Sequence, residues 1–132
     1  TNNDESIIQQ YFNSQNLSTR IYLHDHFSIN KERWIAMFNK ERYLTRGISN
    51  EIPLEIQILL WSMIDKLNVK KDYLQVFEIE PIDANLLKIE HRQEVPKYKS
   101  DIVVKNVGIS SKVKIFVIDD GEYSTMMLSS EY

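Results

Sequence analysis

Three groups of side chains in this 132-residue sequence are of types that do chemistry. His24-Asp25-His26 sets two imidazoles two residues apart, and on an extended segment both point the same way and can share a cation. A metal site needs a third ligand, and the only other histidine, His91, lies far along the chain, so exposed histidines are the simpler reading and no metal or cofactor is assigned. The second group is Arg42, Arg46, His91, Arg92 and Glu94, expected on two strands that can be neighbours in one sheet. It reads either as an anion or carboxylate pocket, with arginine as the fork-shaped donor, or as a cross-strand salt-bridge ladder that fixes register; the ladder is the plainer of the two.

The third group is Asp119 and Asp120. Paired carboxylates can hold magnesium or do acid–base work, but a strand ending in Asp-Asp-Gly is also ordinary turn chemistry. Their surroundings are more informative. After Lys114 there is no Lys or Arg, while Asp119, Asp120, Glu122 and Glu131 alternate with Tyr123, Met126, Met127 and Tyr132. Such an acidic edge can dock a basic protein surface, with carboxylates steering and Tyr and Met giving contact area. A solvated C-terminal end is the competing reading.

Composition narrows the function classes. The absence of cysteine removes disulfides, thiolate zinc sites and thiol nucleophiles. No Gly-rich phosphate loop, nucleophile elbow or zinc-protease helix is present, so an enzyme is not expected. A net charge of −3 argues against broad binding to a phosphate backbone. The apolar runs are too short for a membrane-spanning helix, and Thr-Asn-Asn-Asp-Glu does not begin like a signal peptide, so a cytoplasmic location is the expectation.

The elements that must position these groups follow from periodicity. Ile56, Leu60, Met63, Ile64 and Leu67 recur at helical spacing, widened by Leu59 and Trp61, and predict one long helix over 52–67 with Pro53 in its first turn. Residues 4–16 and a segment capped by Ser28 or Asn30 and ending near Asn39 predict two earlier helices, with 20–27 as a short strand or connector between them. Tyr43, Thr45 and Gly47-Ile48 predict a strand. Strands are also predicted over 73–80 and 87–93, the two forming a hairpin, and over 101–106, 112–119 and 123–128. The expected fold is α+β, a mostly antiparallel sheet packed on the one long helix, with an N-terminal helical extension.

The stretches Arg-Tyr-Leu-Thr-Arg-Gly (42–47), Ile-Pro-Leu-Glu-Ile-Gln (52–57), Leu60-Trp61, Asp-Tyr-Leu-Gln-Val-Phe (72–77) and Glu-His-Arg-Gln-Glu-Val-Pro (90–96) resemble a family of small Gram-positive bacterial proteins, domain of unknown function 960. The resemblance runs from about Met37 to near the C-terminus and implies a division into an extension, 1–36, and a core, 37–132. It implies no activity, although members resemble genes carried on mobile elements. The reading is therefore a non-enzymatic accessory protein of a mobile element or phage that grips a host or phage protein, for example a counter-defence inhibitor of a CRISPR nuclease. Its candidate binding residues are Arg42, Arg46, His91, Arg92, Asp119, Asp120, Glu122 and Tyr123. The alternative is a small nucleic-acid-binding module in which Arg42, Arg46, Lys88 and Arg92 share a sheet face with Tyr43 or Tyr73.

Overall fold

The computed structural model describes residues 37–132. The helices, the connector and the His24-Asp25-His26 cluster expected within 1–36 lie outside the described residues. Met37 and Phe38 form a turn rather than the end of a helix. The chain then enters β1 (Glu41–Leu44), α1 (Arg46–Glu51), α2 (Leu54–Asp65), β2 (Leu74–Pro81), β3 (Leu86–Gln93), β4 (Tyr98–Lys105), β5 (Val113–Asp119) and β6 (Tyr123–Leu128), and a single 3-10 turn, Ser129–Glu131, follows.

The expected layout of a sheet on one long helix is overturned. The protein is mostly a six-stranded mixed sheet, ordered β1-β6-β5-β2-β3-β4, with two short helices. Local chemistry explains the difference. Thr45 is extended and its hydroxyl accepts from the Ile48 N–H, so residues 46–51 start a helix where a strand had been expected. Pro53 forces the preceding Ile52 out of helical conformation, to φ −111° and ψ 119°, which ends α1 and leaves α2 only twelve residues long. Gln57 braces this break by donating its side-chain amide to the Ile52 carbonyl at 2.8 Å. The sheet is mixed because β1, sent across by the helices, lies parallel to β6, with Arg42 opposite Ser124 and Leu44 opposite Met126.

Alternation along the strands assigns the faces. Leu44, Met126, Ile115, Val117, Phe77, Ile79, Leu87 and Ile89 point inward and form one core with Ile48 of α1 and Ile56, Leu60, Trp61 and Ile64 of α2. On the other face lie Tyr43, Tyr123, Met127, Phe116, Val76, Glu78, Glu90 and Arg92, set by the same register. Among the described residues no helix is long and apolar enough to cross a membrane.

Candidate functional site

The structure does not bring the candidate residues into one pocket; it divides them between the two sheet faces and the turn after β5. Arg42 is 6% exposed on the inner face. Its guanidinium donates twice to the Phe38 carbonyl, at 3.0 and 2.8 Å, and forks onto the Asp65 carboxylate at the end of α2, one arm at 3.2 Å. The same group lies 4.5 Å over the Trp61 ring. Asp119, at the far end of the sequence, accepts the Phe38 N–H at 2.7 Å. Members of two separate candidate groups therefore meet on the backbone of one residue. Phe38 needs both, because its φ of 66° is unfavourable for a bulky side chain and its buried N–H and C=O must find partners.

His91 and Arg92 are neighbours in β3 and point to opposite faces. His91 is buried, stacked on Phe77 at 4.3 Å. Gln93 donates to the Lys70 and Pro96 carbonyls, which leaves its oxygen to accept from Gln75 and from the Asp72 N–H. Gln75, with its amide N–H groups spent on Asp72 and Gln93, offers His91 only an acceptor, so His91 Nε2 carries the proton across their 2.7 Å contact. Burial pushes the His91 pKa down to about 4, so the ring is neutral near pH 7.

Arg92 is on the open face. It pairs with Glu78 at 2.5 Å and Glu90 at 3.0 Å, while Lys112 reaches Glu78 and Lys99 reaches Glu90. Hydrogen bonding from Arg92, helped by Lys112, outweighs desolvation and holds the Glu78 carboxyl below its ordinary range. This is the ladder geometry, running across β2, β3 and β4. Arg46 is exposed on the first turn of α1, away from both faces of β3, and Glu94 is exposed in the turn after β3. Arg42, Arg46, Lys88 and Arg92 thus do not share a face: Arg42 is inward, Lys88 and Arg92 are outward, and Arg46 is on a helix.

The turn from β5 to β6 uses its carboxylates on its own backbone. Asp119 accepts from the Gly121 N–H, and Asp120 accepts from Glu122 and Tyr123, which keeps the Asp120 carboxyl below its usual range. Among the described residues no three His, Asp or Glu side chains are grouped to hold a metal. Glu122 is exposed beside this turn, and Tyr123 follows on the open face, 39% exposed and edge-on to Tyr43. Across the same face Phe116 lies opposite Met127, and Tyr132, 82% exposed, stands edge-on to Phe116 at 5.7 Å.

Sequence reasoning missed Asp65, Gln75, Gln93 and Glu131 as the partners that fix these residues. Glu131 accepts from the Thr45 hydroxyl, the Gly47 N–H and the Leu128 N–H, which joins the C-terminal end to the start of α1. Burial raises its pKa and these donors more than offset that, leaving it lowered. The polar types inside apolar alternation, Gln75, His91 and Gln93, were the available signal for a buried network.

A family model described as staphylococcal protein of unknown function (DUF960) matches residues 41–131. No curated protein matches the chain. Among solved structures, the chain is similar to a protein of unknown function from Enterococcus faecalis, at TM-score 0.57 and 22% identity, over 71% of this chain and 92% of that one. That likeness shows the fold.

Proposed function

We propose that this chain, which belongs to the staphylococcal family DUF960, is a non-enzymatic protein-binding module whose docking surface is the open sheet face next to the β5–β6 turn. The observation that carries this reading is the division of that face. One half is a ladder in which Arg92, Lys99 and Lys112 share the carboxylates of Glu78 and Glu90, so most of its charge is engaged within the chain. The other half carries Tyr123, with Asp120 and Glu122 in the turn just before it, and farther along the strands Met127, Phe116 and Tyr132, with Lys114 over the Phe116 ring. Tyr and Met give adaptable contact area, and the carboxylates steer a cationic partner. The partner that fits is a basic host or phage protein surface with apolar gaps, of the kind that lines a nucleic-acid channel, and occupying it would inhibit a nucleic-acid-processing enzyme. The groups that chemistry would need are spent on the fold: Arg42 on Asp65 and Phe38, Asp119 and Asp120 on backbone N–H groups, and His91 inside the core.

The test is capture of partners by the full chain at low salt, followed by affinity measurement against Glu122→Lys and Tyr123→Ser. Glu122 and Tyr123 are exposed, so both variants should fold. The expected result is a basic partner whose association slows with salt and weakens at least tenfold in either variant. Capture of none at low salt, or equal affinity for the variants, would remove the reading.

A further inference from the structure

β4 is an eight-residue strand at the sheet edge opposite β1, and no described element pairs with its outer side. An exposed edge offers unpaired N–H and C=O groups to another strand. Its charges are unevenly served inside the chain. β3 sets Glu90 opposite Asp101 and Arg92 opposite Lys99, like charges face to face. Lys99 reaches diagonally to Glu90, and Arg92 has Glu78 and Glu90, whereas no cation among the described residues is within ion-pair reach of Asp101. Beside Asp101, Val103 is 57% exposed, and Lys105 ends the strand on the same face. Ile102 and Val104 are half-buried on the inner face.

We propose that β4 pairs antiparallel with β4 of a second copy about a two-fold axis at Val103. Antiparallel partners directly opposite one another share a face, so the axis must fall on a residue, and the charges choose which. An axis at Asp101 sets carboxylate on carboxylate, one at Lys99 sets ammonium on ammonium, and one at Ile102 sets Lys99 against Lys105. An axis at Ser100 matches Asp101 with Lys99, a cation already drawn to Glu90, and leaves Lys105 unused. At Val103 the pairs within the strand fit: Val103 meets Val103, Asp101 meets Lys105 of the second copy on both sides, and Ile102 meets Val104 behind them, while Lys99, already held by Glu90, falls opposite Val107 beyond the strand end. The two sheets become continuous, and Asp101 gains the cation it lacks. The surface is small, so the dimer dissociates on dilution. It lies at the far end of the strand order from Tyr123 and is independent of the docking face.

Sedimentation equilibrium of the full chain over a concentration series tests this. Wild type should show a reversible monomer–dimer equilibrium. Asp101→Lys and Lys105→Asp should each weaken it at least tenfold by creating like-charge pairs, and the double variant should recover most of the loss because the pairs are restored with reversed sign. Asp101→Lys also removes the clash with Glu90, so its fold is favoured. Val103→Lys, at an exposed position, should abolish the dimer with the helical and strand content retained in circular dichroism. A wild-type monomer at all concentrations, a dimer indifferent to the single changes, or a double variant without recovery overturns the proposal.

Discussion

Arg42 decides between a surface recognition group and a structural one. Its guanidinium is buried and serves Phe38, Asp65 and Trp61 together, so Arg42→Ala should leave a buried carbonyl and a carboxylate without their donor. The expected loss is roughly 2–3 kcal/mol in denaturant unfolding, against less than about 0.5 kcal/mol for exposed Arg46→Ala. Equal and small effects would return Arg42 to the list of recognition residues. His91 makes a second statement at this scale. Its folded pKa of about 4 lies below the ordinary 6.5, so the unfolded chain binds the extra proton first as pH falls. Its stabilising contribution is complete above pH 6.5 and declines toward pH 4. Between pH 6.5 and 5, before most carboxylates titrate, wild type should lose roughly 1–2 kcal/mol that His91→Gln does not. Parallel pH profiles for the two proteins would show that the ring does not titrate as its burial requires.

Among the elements, strands β2 to β6 and the buried face of α2 were legible, whereas the helix at 46–51 and the start of α2 were not, for a reason visible in single residues. Buried alternation of Leu87, Ile89, His91 and Gln93 has period two and needs no knowledge of the partner strand. The boundary at Ile52 depends on what Pro53 does to its predecessor, and the helix at 46–51 on a hydroxyl cap at Thr45; apolar periodicity registers neither. The site was less legible still, because Arg42 is fixed by Asp65 and Gly47 by Glu131, both remote in sequence. The Thr-Arg-Gly stretch gains a physical reason only in three dimensions. A Cβ at Gly47 would come within 2.7 Å of the Glu131 carboxyl and the Leu128 side chain. Gly47→Ala should therefore cost roughly 1–2 kcal/mol by displacing that carboxyl, and Glu131→Ala a similar amount by removing three hydrogen bonds. Since both break the same contact, the double variant should lose clearly less than the sum. Strict additivity in thermal or chemical unfolding would show that Gly47 and Glu131 are independent.

At the scale of the molecule, the sheet order explains why residues from opposite ends of the sequence carry the structure together. β1 opens the described chain and β6 nearly closes it, yet they are paired, and Phe38 is tied to Asp119 just before that pairing begins. The core contains side chains from both helices and from every strand except β4, whose Ile102 and Val104 pack against it. Residues 37–132 thus hold the six described strands, the two helices that pack on them and the bonds that fasten the first turn, around one hydrophobic core. We expect a chain beginning at Met37 to unfold in one cooperative transition, with circular dichroism and tryptophan fluorescence of Trp61 giving coincident curves. Its midpoint should respond to Arg42→Ala and Glu131→Ala as the full chain does, because both changes act on contacts contained within 37–132. A broad, non-coincident transition would mean that the described sheet and helices do not suffice, and the folding unit would then have to include residues before Met37.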